Sequence, residues 1–186
     1  MTTALRRALL VSSTALIALT LVPVAGDMLP GSLSAYVDQQ AQARGGIIIG
    51  CDSSLEFDGE ALGKPHEPEV ARQRWLAMRG RSGKLYSGHW VIDNRDPRPG
   101  VTPPAVGHVS VAVVNFADIT EREIDAYVAT GEPLKVAGAF TIDGLGGAFL
   151  KSIEGDAHTV IGLSLPTLRE LVRSLGVEYT DLWNIR

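Results

Sequence analysis

Cys51-Asp52-Ser53-Ser54 places a thiol, a carboxylate and two hydroxyls directly behind Ile47-Ile48-Ile49, and Lys64 returns a cation twelve residues after the acid. Three β-branched residues in a row read as a strand buried on both faces. The expectation is therefore that Asp52 and Ser53 come off the end of a rigid strand. A carboxylate held there can bind a divalent cation or take a proton from water. A lysine brought to the same crevice can meet phosphate as a point charge. A second candidate is Asp143, which opens the bend Gly144-Leu145-Gly146-Gly147, where backbone N–H groups could approach a ligand closely. Each group also has a plainer reading: Asp52 as a turn cap, Lys64 as a solvated hairpin lysine, and a glycine bend without P-loop spacing.

The elements that must position these groups follow from local patterns. Ile47 to Gly50 is read as a strand, and Leu55 to Leu62 as a hairpin turning at Asp58-Gly59. Glu67 to Met78 is read as a helix, Lys84 to Ile92 as a strand, and Asp93 to Gly107, with four prolines, as an exposed loop. His108 to Phe116 alternates as a strand, and Glu121 to Thr130 is a helix capped by Asp118 or Thr120. Val136 to Ile142 and Ala148 to Ile153 are expected as strands around the glycine bend, before a last helix from Leu165 to Leu175. Strands and helices at these spacings predict a single α/β domain, a mixed β-sheet flanked by helices.

Composition sets the outer limits. A chain of 186 residues suits one domain, and its net charge of −4 provides no global basic field for nucleic acid. The clusters Arg72/Arg74 and Arg79/Arg81/Lys84 could still meet a smaller anion. Cys51, the lone cysteine, cannot form an internal disulfide and is read as a small buried residue at a strand end. The four histidines are scattered, and no Cys/His spacing suggests zinc.

Residues 1–45 are set apart as an atypical N-terminal segment, and 46–186 as the α/β core. Arg6-Arg7, an apolar run and small residues near Ala25-Gly26 outline a secretory signal peptide. The same stretch can be read as a degenerate opening strand, Ala8 to Val11, with a hydroxyl turn and a following helix from Ser34 to Arg44. Ser12, Ser13, Thr14 and Pro23 make it a poor membrane span.

Five colinear motifs carry a resemblance: GCDSSLEFDGEALGKP at 50–65, GRSGKLYSGH at 80–89, IDAYVATGEPLKVAGAF at 124–140, IDGLGGAFLKSIEGD at 142–156 and VIGLSLPTL at 160–168. Together they resemble the Maf family of nucleoside triphosphate pyrophosphatases over roughly residues 46–178. The resemblance implies a Maf/ITPase-like α/β fold and a metal-dependent split of a nucleoside triphosphate into monophosphate and diphosphate, using Mg²⁺ or Mn²⁺. It implies Asp52 as general base and metal ligand, Lys64 as a phosphate contact, and Ser53 and Asp143 as substrate-binding positions that bear on base choice. It further implies a cytoplasmic enzyme that clears unwanted nucleotides, acting on a nucleoside triphosphate without nucleic acid or membrane, and a possible homodimer. Members normally begin with a Ser-Pro-Arg phosphate-clamping turn; the corresponding place here reads LVSSTAL at 10–16, and Gln42 stands where a helix usually carries lysine. Two further readings therefore stand beside the enzyme: a nucleotide-binding or division-regulating protein with weakened turnover, and an exported protein.

Overall fold

The computed structural model describes residues 46–183, so the strand, helix and signal-peptide readings of residues 1–45 lie outside the described residues. Five strands form one sheet in the order β2-β1-β3-β4-β5: β1 Gly46–Phe57, β2 Glu60–Leu62, β3 Ser82–Asn94, β4 Ala105–Phe116 and β5 Leu150–Gly155. The expected single α/β domain is found. Its sheet, expected to be mixed, is antiparallel at every pairing among the described residues.

Register explains how the helices sit. Alternation places Ile47, Ile49, Cys51, Ser53, Leu55 and Phe57 of β1 on one face. The two ends of that face are apolar and its middle is not. Leu55 and Phe57 pack under α1 (Pro68–Met78) and α2 (Glu121–Ala129) through Trp75, Met78, Ile124 and Tyr127. Ile47 and Ile49 pack under α4 (Leu165–Ser174) through Leu168, Leu171 and Val172. The short α3 (Ala157–Ile161) contributes Val160 to the first cluster. Between the clusters run two polar rows across three strands, Cys51/His89/His108 and Ser53/Ser87/Ser110.

Local signals behave as their chemistry requires at most boundaries. Asp58 and Gly59 turn the β1–β2 hairpin with φ of 54° and 82°. Thr120 and Glu123 form a reciprocal capping box at α2, and the Ser164 hydroxyl accepts from the Thr167 N–H at the start of α4. Three expectations are corrected. β1 does not stop at Gly50; it continues through Asp52, which pairs with Gly88, to Phe57. The proline-rich loop is shorter than expected, because β3 runs to Asn94 and β4 starts at Ala105. Val136 to Ile142 is not a strand: Gly138 and Ala139 have φ of 68° and 64°, and two successive left-handed residues fold the chain into a 3-10 turn, Ala137–Ala139.

Trp75 holds that turn. It is fully buried, its indole N–H donates to the Ala139 carbonyl at 2.8 Å, and its ring meets Phe116, Tyr127 and Phe149 edge-on at 5.6, 5.6 and 5.9 Å. At about 0.5–1.5 kcal/mol per aromatic pair beyond simple burial, these contacts offset the roughly 1–2 kcal/mol of left-handed strain at Ala139.

His89, also fully buried, accepts the Ser164 N–H through Nε2 at 2.9 Å. The proton of the neutral ring is therefore on Nδ1, which has no partner at hydrogen-bond geometry among the described residues. Burial lowers the His89 pKa, with the backbone of Ser87 and His108 opposing in part. The unfolded chain thus takes up a proton near the ordinary histidine range while the folded chain resists it. Stability should fall as pH drops through about 6.5. Melting temperatures from pH 7.5 to 5 should show this loss, and a His89→Gln variant, whose amide oxygen can still accept from Ser164, should show a flatter profile.

Candidate functional site

A cavity of about 350 Å³ opens where the polar rows separate the two apolar clusters. That is within the size range of small-molecule sites. Asp52, Ser53, Lys64 and Lys135 line it together with Ile49, Leu85, Phe140, Val160 and Leu163. Apolar walls with a few convergent polar groups suit a ligand with a flat or apolar body and a charged end.

Asp52 alternates away from the face that carries Ser53, yet both line the cavity. Among the described residues β2 covers only Leu55 to Phe57 of that margin of β1, so the cavity wraps round the strand there. Burial raises the Asp52 pKa; the Ser53 N–H, donating to Oδ1 at 2.9 Å, and the Lys64 charge both pull it down, but the net direction is up. A carboxylate poised above its ordinary range is a better proton acceptor near neutral pH.

Ser53 is oriented from behind. Ser87, fully buried, donates its one hydroxyl proton to the Thr159 carbonyl at 2.7 Å. The 2.6 Å contact between the Ser53 and Ser87 hydroxyls must then have Ser53 as donor. Ser53 thus turns lone pairs, not a proton, toward the cavity. The buried Cys51 thiol donates to the Gly162 carbonyl, and burial first, then Asp52, push its pKa up, so it acts as a link from β1 to α3 and not as a nucleophile.

Lys64 sits in the loop after β2 and Lys135 at the end of the 3-10 turn Glu132–Lys135. Asp143 is not brought to the cavity wall: it is exposed and accepts from the Thr141 hydroxyl, and it is Thr141 that lines the cavity. The glycine bend also differs from its expected use. The N–H groups of Leu145 and Gly146 donate to the Glu132 carboxylate at 3.0 and 2.9 Å, so the protein supplies the anion itself. A Cβ at Gly146 would lie 2.3 Å from the Tyr127 hydroxyl, which explains glycine there as close packing. The arginine clusters are partly consumed: Arg72 pairs with Glu121 and Asp125, and Arg81 with Asp58.

The Maf family, described as Maf-like protein, matches residues 19–175. The chain belongs to the Maf family. A nucleoside triphosphate pyrophosphatase from Leifsonia xyli subsp. xyli is 60% identical over 139 residues, covering 75% of this chain and 63% of that protein. One from Streptomyces avermitilis is 48% identical over 153 residues, 82% of this chain and 71% of the relative. A nucleoside triphosphate pyrophosphatase/Nudix hydrolase fusion protein from Bifidobacterium longum is 48% identical over 141 residues, 76% of this chain and 28% of the fusion. The chain spans less than two thirds of the Leifsonia relative's length.

Within this Maf-family core, no group of three or more Asp, Glu, His or Cys residues gathers as a metal site among the described residues. None of the described helices is long and apolar enough to cross a membrane. Local sequence patterns do not single out Lys135, Ser87 or Thr159 as site residues. The nearest to a signal is at Ser87: Ser87-x-His89 puts two polar side chains at alternate positions in an otherwise apolar strand.

Removing the Ser87 hydroxyl leaves the Thr159 carbonyl without its buried donor and releases the Ser53 proton. Ser87→Ala should cost about 1–3 kcal/mol in urea denaturation, the range for an orphaned buried partner. A loss indistinguishable from zero would mean that the hydroxyl chain does not hold this part of the site.

Proposed function

We propose that this chain hydrolyses nucleoside triphosphates to nucleoside monophosphate and diphosphate. The observation that carries the reading is that Asp52 and Lys64, twelve residues apart in sequence, line one cavity whose other walls are largely apolar. The names of the relatives support the same reaction.

In this mechanism the apolar walls take the base and sugar, and Lys64 neutralises phosphate oxygens. Asp52 accepts a proton from water as its oxygen attacks the α-phosphorus. A P–O bond forms to water while the bond from the α-phosphorus to the bridging oxygen breaks, and diphosphate leaves with the electron pair. Asp52, with the phosphates and water as further ligands, would also hold a divalent cation, Mg²⁺ or Mn²⁺; such ions commonly bind through one or two carboxylates plus substrate oxygens. Bound there, the ion would neutralise charge on the transferring phosphoryl group. Ser53 meets a donor on the ligand with its lone pairs, and Asp143 acts on base choice through Thr141. The same proposal places the protein in the cytoplasm as a nucleotide-clearing enzyme that forms a homodimer.

Diphosphate release from a panel of nucleoside triphosphates with Mg²⁺ or Mn²⁺ tests the reaction; no diphosphate from any triphosphate, or phosphate released in its place, would end it. Asp52→Asn should lower turnover at least about a hundredfold, the lower end for losing a general base. The parent's rate should fall on the acid side at a pH above the usual carboxylate range, since the deprotonated form is the base. Near-parental rates in the variant would remove Asp52 from this role. Lys64→Ala should weaken nucleotide binding while changing stability by no more than about 0.5 kcal/mol.

A further inference from the structure

The loop carrying Lys64 and the turn carrying Lys135 are clipped together by two backbone hydrogen bonds. The Gly138 N–H donates to the Gly63 carbonyl at 3.3 Å, and the His66 N–H donates to the Leu134 carbonyl at 3.1 Å. The two bonds bracket the lysines, one on each side of the clip, and both side chains line the cavity. Arg74 reinforces the clip by donating to the same Gly63 carbonyl at 2.5 Å.

Neither lysine has a hydrogen bond or a salt bridge among the described residues. The nearest carboxylate in sequence to Lys135 is Glu132 on its own turn, and that group is spent elsewhere. It accepts from Leu145, Gly146 and the Tyr127 hydroxyl, the last at 2.8 Å. The fold therefore holds two like charges at one cavity and withholds the anion that could neutralise the second. Like charges gathered at one cavity raise the local concentration of an anion. Lys64 acts on Asp52 and lowers its pKa. Lys135 enters from the neighbouring turn and so brings the cavity a second cation from a different segment.

We propose that Lys135 is a binding residue for the polyphosphate chain, forming with Lys64 a two-lysine clamp in which Lys135 takes the oxyanions beyond those at Asp52 and Lys64. The ligand's identity as a triphosphate rests on the proposed function; the clamp itself does not require turnover. Calorimetric titration of the full chain with inorganic tripolyphosphate and with diphosphate, in EDTA, separates the two. Lys135→Met should weaken tripolyphosphate about tenfold, as for losing one charge-assisted contact, and diphosphate less. Its affinity should also depend less steeply on salt, and Lys135→Arg should restore binding. An unchanged melting temperature in Lys135→Met would confirm that the exposed side chain is not structural. Parental affinity in Lys135→Met, or no tripolyphosphate binding by the parent, overturns the clamp. Lys135-dependent binding without hydrolysis of any triphosphate would sustain the clamp and overturn the proposed reaction.

Discussion

The hydrogen bond from the buried Trp75 indole to the Ala139 carbonyl is the constraint on which the cavity depends. It fixes a turn that local propensity opposes at Ala139, which is left-handed directly after the left-handed Gly138. Gly138 has a second reason to lack a side chain, because a Cβ there would stand 2.8 Å from Leu55. The turn's position then sets that of Val136, Ala137, Phe140 and Thr141, which form one wall of the cavity. Trp75 is itself held by Phe116, Tyr127 and Phe149, so the geometry of the wall is set by the aromatic core under α1 and α2.

The other wall comes from an interruption in the core. A sheet face that were apolar from end to end would bury itself under one continuous layer of helices and leave no room for a ligand. Here Cys51, Ser53, Ser87, His89, His108 and Ser110 divide the face, and the packed helices fall into two groups on either side. Buried polar side chains are tolerated only when bonded. The Ser53–Ser87–Thr159 chain, the Cys51–Gly162 contact and the His89–Ser164 contact meet that requirement at every group but His89 Nδ1, and they tie the segment from α3 to α4 onto the strands. The groups that satisfy the interruption are thus also those that orient the cavity side of Ser53.

Two anions of similar chemistry meet opposite fates in this architecture. Glu132 is enclosed by donors from the glycine bend and Tyr127; burial works against it, but those donors hold its pKa below the ordinary value. Asp52 has one backbone donor and a lysine field, and burial wins, leaving its pKa raised. The difference is that Asp52 is much the more deeply buried and that Glu132 receives more hydrogen bonds. One carboxylate has been turned into structure and the other remains available for chemistry.

Much of the frame was legible in residues 46–183 alone. Asp-Gly announced the hairpin, Thr120 with Glu123 announced α2, and alternation announced β4, because these signals act over a few residues and need no distant partner. The motifs around Asp52 and Lys64 pointed to one site, and the fold does bring those two residues and Ser53 to one cavity. The extent of β1 was not legible, since Asp52 and Ser53 are poor strand formers in isolation and stay extended only because Gly88 and Ser87 pair with them. Nor was the turn at Ala137–Ala139, where apolar residues suggested a strand and a tryptophan more than sixty positions away decided otherwise. Lys135 was not legible for the same reason: a lysine in sequence is a solvated cation until backbone pairing brings its turn to a cavity that another lysine also lines. Sequence determined the types of group available and the local turns. Tertiary pairing decided which of those groups face one another, because that depends on hydrogen bonds between segments that the chain keeps far apart.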